Sequence, residues 1–264
     1  MNLKGQWVWV TGASSGLGLE LSKQMSKLGA NLVISARRVD RLEALATELR
    51  TAGIEVQVLP ADMSKPADVE RCLDVVKKVP LAAVVLNAGV THFGHHHELE
   101  WDAFQSMLQT NVVSTVRLTS ELVKHFQAAG TEARIMIVSS LTGLMPVPFQ
   151  TAYSGTKAFL VAYGTALAHE LRGSKVSVTV FAPGGIATEQ TAGERFKTLR
   201  GWLAPVDSVA LEALGALRAR PSLHVQGFLN RLGFILMRFV PRDLSMYLVS
   251  REYRKALQAA GVGK

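Results

Sequence analysis

The sequence has almost no cysteine and no long uninterrupted apolar run. Its single cysteine, Cys72, has no partner for an internal disulfide, which excludes a small fold held together by disulfides. Residues 1–5 lead directly into a short apolar run, without the apolar core of a signal peptide. A reducing, cytoplasmic setting is therefore the expectation.

Internal repeats, low-complexity segments and breaks in composition are also missing from the 264 residues. The apolar share of 48% supplies enough side chains for a buried core and argues against a disordered chain. We therefore expect a single domain.

Acidic residues are too few to balance the basic ones, and the formal net charge is +8. A basic protein attracts anions, which include nucleic acids, anionic membranes and phosphorylated ligands. The basic residues are scattered apart from Arg37, Arg38 and a C-terminal set, and no nucleic-acid-binding motif accompanies them. We expect no nucleic-acid partner.

Short apolar runs alternate with longer segments of helical periodicity along most of the chain. This alternation predicts an α/β fold with a doubly wound parallel sheet, because each parallel crossover must return over one face of the sheet. The predicted strands are residues 7–10, 31–34, 56–59, 83–86, 135–138, 176–181 and 223–226.

A glycine-rich segment, Thr-Gly-Ala-Ser-Ser-Gly-Leu-Gly at residues 11–18, follows the first predicted strand and opens the next helix. Glycines let the backbone approach a pyrophosphate closely, and the amides of a helix N-terminus stabilise its charge. The alternative is a turn without a ligand, but the strand before it and the helix after it favour a dinucleotide and a Rossmann fold. The candidate contacts are Gly12, Ser14, Ser15, Gly16, Leu17 and Gly18.

The second predicted strand is followed by Arg37 and Arg38, with no acidic residue before Asp40. An acidic residue here would bind a ribose 2′-hydroxyl, whereas arginine accommodates a 2′-phosphate. The pattern favours NADP(H) over NAD(H), with Arg37 contacting the phosphate and Arg38 stacking on the adenine. The alternative is that both are solvated arginines at the start of the next helix.

A phenol and an ammonium, those of Tyr153 and Lys157, stand one helical turn apart and can face the same cleft. A nearby cation favours phenolate and would bring the pKa of the tyrosine closer to neutrality for proton transfer. Ser140 ends a predicted strand, where its hydroxyl could polarise a substrate carbonyl. Ser139 is the competitor, since strand alternation sends the two hydroxyls to opposite sides.

Together these segments resemble the short-chain dehydrogenase/reductase family over roughly residues 5 to 227. The resemblance rests on 11–18, on Asn-Ala-Gly at 87–89, on Asn111, Ser140, Tyr153 and Lys157, and on Pro-Gly-Gly-Ile-Ala-Thr at 183–188. It implies hydride transfer between NADP(H) and a carbonyl or secondary alcohol, and a homodimer or homotetramer formed through residues 101–129 and 150–172. The alternative is an NADPH-binding sensor or a membrane or protein scaffold with little turnover.

The resemblance also implies a role for each matching residue. Tyr153 would be the acid/base, Lys157 its ribose-binding and pKa-lowering partner, Ser140 the substrate-orienting hydroxyl, and Asn111 the holder of a proton-relay water. The further cofactor contacts that it implies are Asp62 and Met63 at the adenine, Asn87, Ala88 and Gly89 beside the cofactor, and Pro183, Gly184, Ile186 and Thr188 at the nicotinamide end.

Three adjacent histidines at 95–97, with His92 nearby, invite interpretation as a metal site. Adjacent residues rarely converge on one ion, and a polar loop explains the segment. We predict no metal.

The C-terminal extension, residues 228–264, follows the Rossmann-type domain at residues 1–227. Its apolar residues are interrupted by Arg231, Arg238 and Arg242, which is too early for a membrane-spanning helix but suits an amphipathic one. Three interpretations stay open: packing over the substrate cleft or a subunit interface, peripheral attachment to an anionic membrane, or a flexible tail. The apolar residues of 189–203 predict a lid over an apolar substrate.

Overall fold

A computed structural model describes residues 2–237 and 239–261. Its centre is a seven-stranded sheet in the order β3-β2-β1-β4-β5-β6-β7, with every pair of neighbours parallel. The strands are β1 (Trp7–Thr11), β2 (Asn31–Ser35), β3 (Val56–Val58), β4 (Leu81–Leu86), β5 (Ala133–Val138), β6 (Val176–Ala182) and β7 (Leu223–Val225). Each predicted strand is present with nearly the predicted bounds.

Helices cover both faces of this sheet. Their bounds are α1 (Gly16–Lys27), α2 (Val39–Arg50), α3 (Pro66–Val76), α4 (Trp101–Leu108), α5 (Ser114–Ala129), α6 (Thr151–Glu170), α7 (Val206–Ala219), α8 (Phe228–Met237) and α9 (Arg242–Ala259). One core lies between the sheet and α1, α2 and α7, and a second lies between the sheet and α3, α5 and α6. The doubly wound α/β prediction is confirmed.

Strand β1 shows why the chain folds this way. Val8 and Val10 belong to the first core, whereas Trp9, one residue out of phase, belongs to the second. An apolar run without polar alternation is what a strand buried on both faces requires. The same burial encloses Cys72 of α3 and raises the pKa of its thiol to about 11.

The sheet order reverses at β1, which has β2 on one side and β4 on the other. The connections that follow β1 and β4 therefore run over opposite faces of the sheet. A crevice opens between the carboxyl ends of these two strands, and α/β proteins bind ligands in such a crevice. The glycine-rich segment lies at this crevice.

The C-terminal extension forms two helices, with α8 inside the stretch 228–242 whose composition suits an amphipathic helix and α9 after it. Pro241 has no backbone N–H to continue α8 and instead caps the start of α9. Of the predicted arginine cluster, Arg238 lies outside the described residues. No helix in the described ranges is both long and apolar enough to span a membrane.

Candidate active site

The turn between β1 and α1 is too tight for side chains at two of its glycines. A Cβ atom on Gly18 would overlap the Gly12 carbonyl oxygen and lie 2.6 Å from Asn87 Nδ2, and one on Gly12 would lie 2.9 Å from the same nitrogen. Gly12 and Gly16 also have positive φ angles of 70° and 56°. The turn therefore brings bare backbone to the start of α1, which is the arrangement that a pyrophosphate requires.

Hydrogen bonds tie this turn to the end of β4. Thr11 Oγ1 accepts from the backbone amides of Asn87 and Ala88, each at 3.0 Å, and Asn87 Nδ2 donates to the Thr11 carbonyl at 3.0 Å. The segment predicted to lie beside the cofactor is thus fixed against the glycine turn. Thr11 is a positioning residue that the motif contained but that sequence reasoning did not single out.

A cleft of about 1090 Å³ runs along the carboxyl ends of the strands. Most predicted cofactor contacts line it, namely Gly12, Ser14, Ser15, Gly16, Leu17, Arg37, Arg38, Asp62, Met63, Asn87, Ala88, Gly89, Tyr153, Lys157, Pro183, Gly184, Ile186 and Thr188. Gly18 lies beneath the turn and does not line the cleft. The residues present fit a dinucleotide in shape and chemistry.

Arg38 crosses the glycine turn and reaches the lid. Its guanidinium donates to Ser14 Oγ and Ser15 Oγ, and its Nη1 lies 2.9 Å from Glu189 Oε2. Arg41 binds the other oxygen of Glu189, and the two arginines lower the pKa of that carboxyl. Arg38 therefore lies against the turn and is held by protein groups, whereas Arg37 is exposed on the cleft wall.

The three predicted catalytic side chains, Ser140 just after β5 and Tyr153 and Lys157 on α6, converge. Lys157 Nζ donates to the Val138 carbonyl at 2.9 Å and lies 5.7 Å from the centre of the Tyr153 ring. The Ser140 hydroxyl faces the Tyr153 phenol, whereas Ser139 Oγ is turned away and donates to the Lys157 carbonyl at 2.8 Å. Strand alternation thus separates the two serines, with Ser140 at the tyrosine.

Both titratable groups of this cluster are shifted by burial. Burial raises the pKa of Tyr153 to about 12, even though the Ser140 hydroxyl acts in the opposite direction. Burial also lowers the pKa of Lys157 to about 8. The pKa of Tyr153 is therefore raised, whereas the sequence predicted that it is lowered. Loss of hydration around the phenol outweighs the hydrogen bond with Ser140, which favours phenolate.

Asn111 lies in a π-helical turn, Gln109–Val113, between α4 and α5. Its Oδ1 accepts from the Val90 amide at 2.9 Å, while its Nδ2 donates to the Val90 carbonyl at 2.9 Å and to Thr156 Oγ1 at 3.0 Å. These bonds join the segment after β4 to α6. The role of Asn111 in holding a relay water stays a prediction.

The roof of the cleft comes from segments far along the chain. The lid residues Phe196, Leu199, Trp202 and Leu203, which the sequence suggested, all line it, within a segment that forms 3₁₀ turns. The C-terminal helices contribute Leu229, Asn230, Met237, Leu248, Val249, Glu252 and Tyr253. Packing over the substrate cleft was one of the three sequence interpretations of the extension, which named none of these residues. Tyr253 lies close enough to Tyr153 to contribute to its raised pKa.

The histidine segment packs beside the roof. His95 stacks on His97 and contacts Phe149 edge-on, and Arg195 from the lid bonds to Glu98 and the Phe93 carbonyl. Within the described ranges, no cluster of three potential metal ligands is found. The segment supports the lid.

Comparison with known proteins identifies the family. The family model described as short chain dehydrogenase matches residues 6–198. Human 17-beta-hydroxysteroid dehydrogenase type 3 is 32% identical over 190 residues, covering 71% of this chain and 61% of that protein. The very-long-chain 3-oxoacyl-CoA reductase of Podospora anserina is 36% identical over 181 residues, covering 66% of this chain and 53% of that protein. The chain thus spans between about half and three fifths of the length of these relatives.

Solved structures match nearly the whole chain. A 7beta-hydroxysteroid dehydrogenase has a TM-score of 0.84 at 25% identity, covering 94% of this chain and 99% of that one. A short-chain dehydrogenase from Sphingobium yanoikuyae in complex with NADPH has a TM-score of 0.76 at 25% identity, covering 89% and 96%. From its sequence, its sheet and the residues gathered at its cleft, the chain belongs to the short-chain dehydrogenase family.

Proposed function

We propose that the protein is an NADP(H)-dependent oxidoreductase acting on the carbonyl or secondary alcohol of an apolar substrate. The observation that carries the proposal is that Tyr153 and Lys157 line the cleft that the glycine turn also lines, with the Ser140 hydroxyl facing the Tyr153 phenol. The dinucleotide, when bound, supplies or accepts the hydride. Both named relatives and both solved structures are dehydrogenases or reductases, which supports the same chemistry.

Each end of the cleft offers groups for one part of the dinucleotide. The backbone of the glycine turn and the N-terminus of α1 would hold the pyrophosphate, and Asp62 and Met63 the adenine. Arg37 would hold a 2′-phosphate, and Arg38, which lies against Ser14 and Ser15 of the glycine turn, is a second candidate for it besides its predicted stacking on the adenine. The segment 183–188 would contact the nicotinamide end. The NADPH complex of a family member supports a nicotinamide dinucleotide in this cleft, and the preference for NADP(H) rests on Arg37 and Arg38.

Tyr153 would act as the acid in carbonyl reduction. With a pKa of about 12, its phenol is protonated at neutral pH and can donate to the oxygen of a carbonyl that becomes an alkoxide. Ser140, whose hydroxyl faces the Tyr153 phenol, would polarise that carbonyl. Lys157, with a pKa of about 8, carries its positive charge at neutral pH and would stabilise the phenolate left after the transfer.

The roof favours an apolar substrate. Aromatic and aliphatic side chains from the lid and the C-terminal helices line this end of the cleft, with Glu252 as an acidic exception. The names of the two curated relatives refer to a hydroxysteroid and to a very-long-chain 3-oxoacyl-CoA, whose steroid nucleus and acyl chain are apolar. We therefore propose a lipid-like carbonyl compound.

Two measurements test the proposal. NADPH and NADH are titrated in parallel by fluorescence into the protein and into Arg37→Ala. We expect an NADPH preference that the variant loses. A set of apolar ketones is then screened for NADPH oxidation, and turnover should disappear in Tyr153→Phe. A protein that binds NADPH but turns over none of the ketones would favour the sensor or scaffold alternative.

We also propose a homo-oligomer formed through α4, α5 and α6. Trp101 and Leu108 on α4, and Phe159 on α6, are exposed apolar side chains on these helices, and Trp101 is 66% exposed. Such side chains are typical of an interface that the chain forms with its own copies. Light scattering on the purified protein would show a dimer or tetramer, and Trp101→Glu should reduce the mass.

A further inference from the structure

Helix α8 contacts the protein with only one of its sides. At 100° per residue, Asn230 and Met237 point in nearly the same direction, and both line the cleft. The opposite side is apolar and faces outward, and none of the described residues of the helix is buried. The exposed apolar residues of this side are Phe228, Leu232, Ile235 and Leu236, and Phe228 is 70% exposed. Leu229 is also exposed but lies at the border of this side, where it lines the cleft.

The same exposed surface continues after α8. Phe239, in the link to α9, is 82% exposed, and the first turns of α9 add Leu244, Tyr247 and Leu248. These three lie at helical spacing along one side of α9, and Val249 and Tyr253 line the cleft on the other side. Leu248 lies at the border and is both exposed and part of the cleft lining. We call the exposed residues of 228–248 the outer face. Isolated exposed apolar residues are ordinary, but a continuous group of this size marks an interaction surface.

Positive charge surrounds the outer face. Between residues 228 and 261 the sequence has six basic residues and two acidic ones. Among the described residues, Arg231, Arg242 and Arg254 are exposed. Of the acids, Glu252 is paired with Arg251 and Lys255. An apolar surface bordered by arginine and lysine suits a membrane whose headgroups are anionic.

We propose that the outer face docks on an anionic lipid surface. The apolar side chains would enter the boundary between headgroups and acyl chains, and the basic residues would contact the headgroups. Trp202 of the lid, 72% exposed, lies at the same end of the cleft. Docking therefore brings the mouth of the cleft to the lipid, so an apolar substrate could enter without crossing water.

A second copy of the chain is the competing occupant of the outer face. In a twofold dimer the same patch meets itself, which would place the basic borders of the two copies near each other. Like charges across an interface oppose association. The charge distribution therefore favours an anionic surface over another copy of this chain.

The test measures binding of the full chain to sedimented vesicles, without cofactor or substrate. We expect binding to phosphatidylcholine vesicles that contain phosphatidylserine, weaker binding to phosphatidylcholine alone, and loss of the difference at high salt. The triple variant Leu232→Ser, Ile235→Ser, Leu236→Ser should lower the partition coefficient by about tenfold or more. Arg242→Gln with Arg254→Gln should lower it only on the anionic vesicles.

Matched controls keep the test specific. Leu211→Ser removes from α7 an apolar side chain that is more exposed than any of the three, and Lys78→Gln removes an exposed charge at the opposite end of the sheet, so both should leave binding unchanged. The triple variant should also keep its turnover in vesicle-free buffer, because none of its three residues lines the cleft.

Two results would overturn the proposal. One is equal binding of the wild type and the triple variant to anionic vesicles. The other is an absence of vesicle binding together with a lower oligomer mass for the triple variant, which would make the outer face a subunit contact. Because binding is measured without turnover, failure of the proposed activity would leave the result interpretable.

Discussion

The floor and the roof of the cleft are built on different principles. The floor consists of strand ends and the glycine turn, where Asn111 and Lys157 are buried and hydrogen bonded to neighbouring elements. The roof consists of the lid at 189–203 and of α8 and α9, where most large apolar side chains are exposed. The sheet therefore fixes the positions of the catalytic residues, while the side chains of the roof can vary to set which substrate binds and what the protein contacts.

A small number of polar contacts connect the two regions. Glu189 bonds to Arg38 and Arg41, and Gln190 Nε2 donates to the Gly89 carbonyl at 2.9 Å. The apolar contact is a small cluster in which Phe93 and Leu199 meet the end of α9. Substitutions in the floor should therefore abolish turnover. Substitutions at the contacts between floor and roof should change ligand affinity by a smaller amount.

The largest expected effect is on the floor, at the proposed acid. Tyr153→Phe removes the proton donor and should lower kcat by about 10²- to 10⁴-fold. The NADPH dissociation constant should stay close to that of the wild type, because the ring still fills its place. Stopped-flow turnover and fluorescence titration on the same preparation check both parts. A variant with near-normal kcat would contradict the proposed role.

Gly18→Ala should disturb the glycine turn without touching any titratable group. The added methyl group would overlap the Gly12 carbonyl, and relieving that overlap should cost about 1–3 kcal/mol of unfolding free energy and weaken NADPH binding. Urea unfolding and titration measure the two effects. Gly215→Ala is the control, since a Cβ there has no heavy atom within 4 Å and should slightly stabilise α7.

The buried lysine should make stability depend on pH. Its pKa in the folded protein, about 8, is lower than the ordinary 10.5, so between these values the unfolded chain binds more protons than the folded one. The free energy of unfolding contributed by Lys157 should therefore rise with pH across that window, by up to about 3 kcal/mol.

Urea unfolding at pH 7.5 and at pH 10 measures this contribution as the difference between wild type and Lys157→Met. The matched control Lys78→Met removes an exposed lysine and should show no such difference. A contribution from Lys157 that falls with rising pH would mean that burial does not dominate at this site.

The smallest effect is expected where the roof meets the floor. Glu189 competes with a 2′-phosphate for Arg38, so Glu189→Gln should tighten NADPH binding about twofold to fivefold and leave NADH binding unchanged. Parallel titrations measure the ratio of the two affinities. Glu194→Gln, which breaks an exposed pair with Lys197 in the same lid, is the control. Equal changes for NADPH and NADH would show that Glu189 does not act at the 2′-phosphate.

Sequence reasoning reached most of the floor because its signals are local. Buried strands appear as apolar runs, the turn appears as spaced glycines, and Tyr153 and Lys157 are one helical turn apart. Alternation predicts that only one of Ser139 and Ser140 faces the substrate, the family resemblance implies Ser140, and the structure has the Ser140 hydroxyl at the tyrosine. Each inference used residues within a single element or its immediate continuation.

The roof was harder to predict because its contacts join distant parts of the chain. Glu189 and Arg38 are 151 residues apart, and no local pattern marks them as partners. The amphipathic composition of residues 228–242 indicates a helix there but does not indicate that it ends at Met237 or that Pro241 begins a second one. The direction of the Tyr153 pKa was missed because spacing indicates a nearby cation, but the loss of hydration depends on three-dimensional packing.

The burial of Cys72 has a practical consequence for studying the roof. A thiol with a pKa of about 11, enclosed beneath the sheet, reacts slowly with maleimides at neutral pH, and the sequence has no other cysteine. A cysteine introduced at Leu232 would therefore carry a fluorescent dye almost exclusively. The colour of an environment-sensitive dye at that position would report in real time whether the helix leaves water.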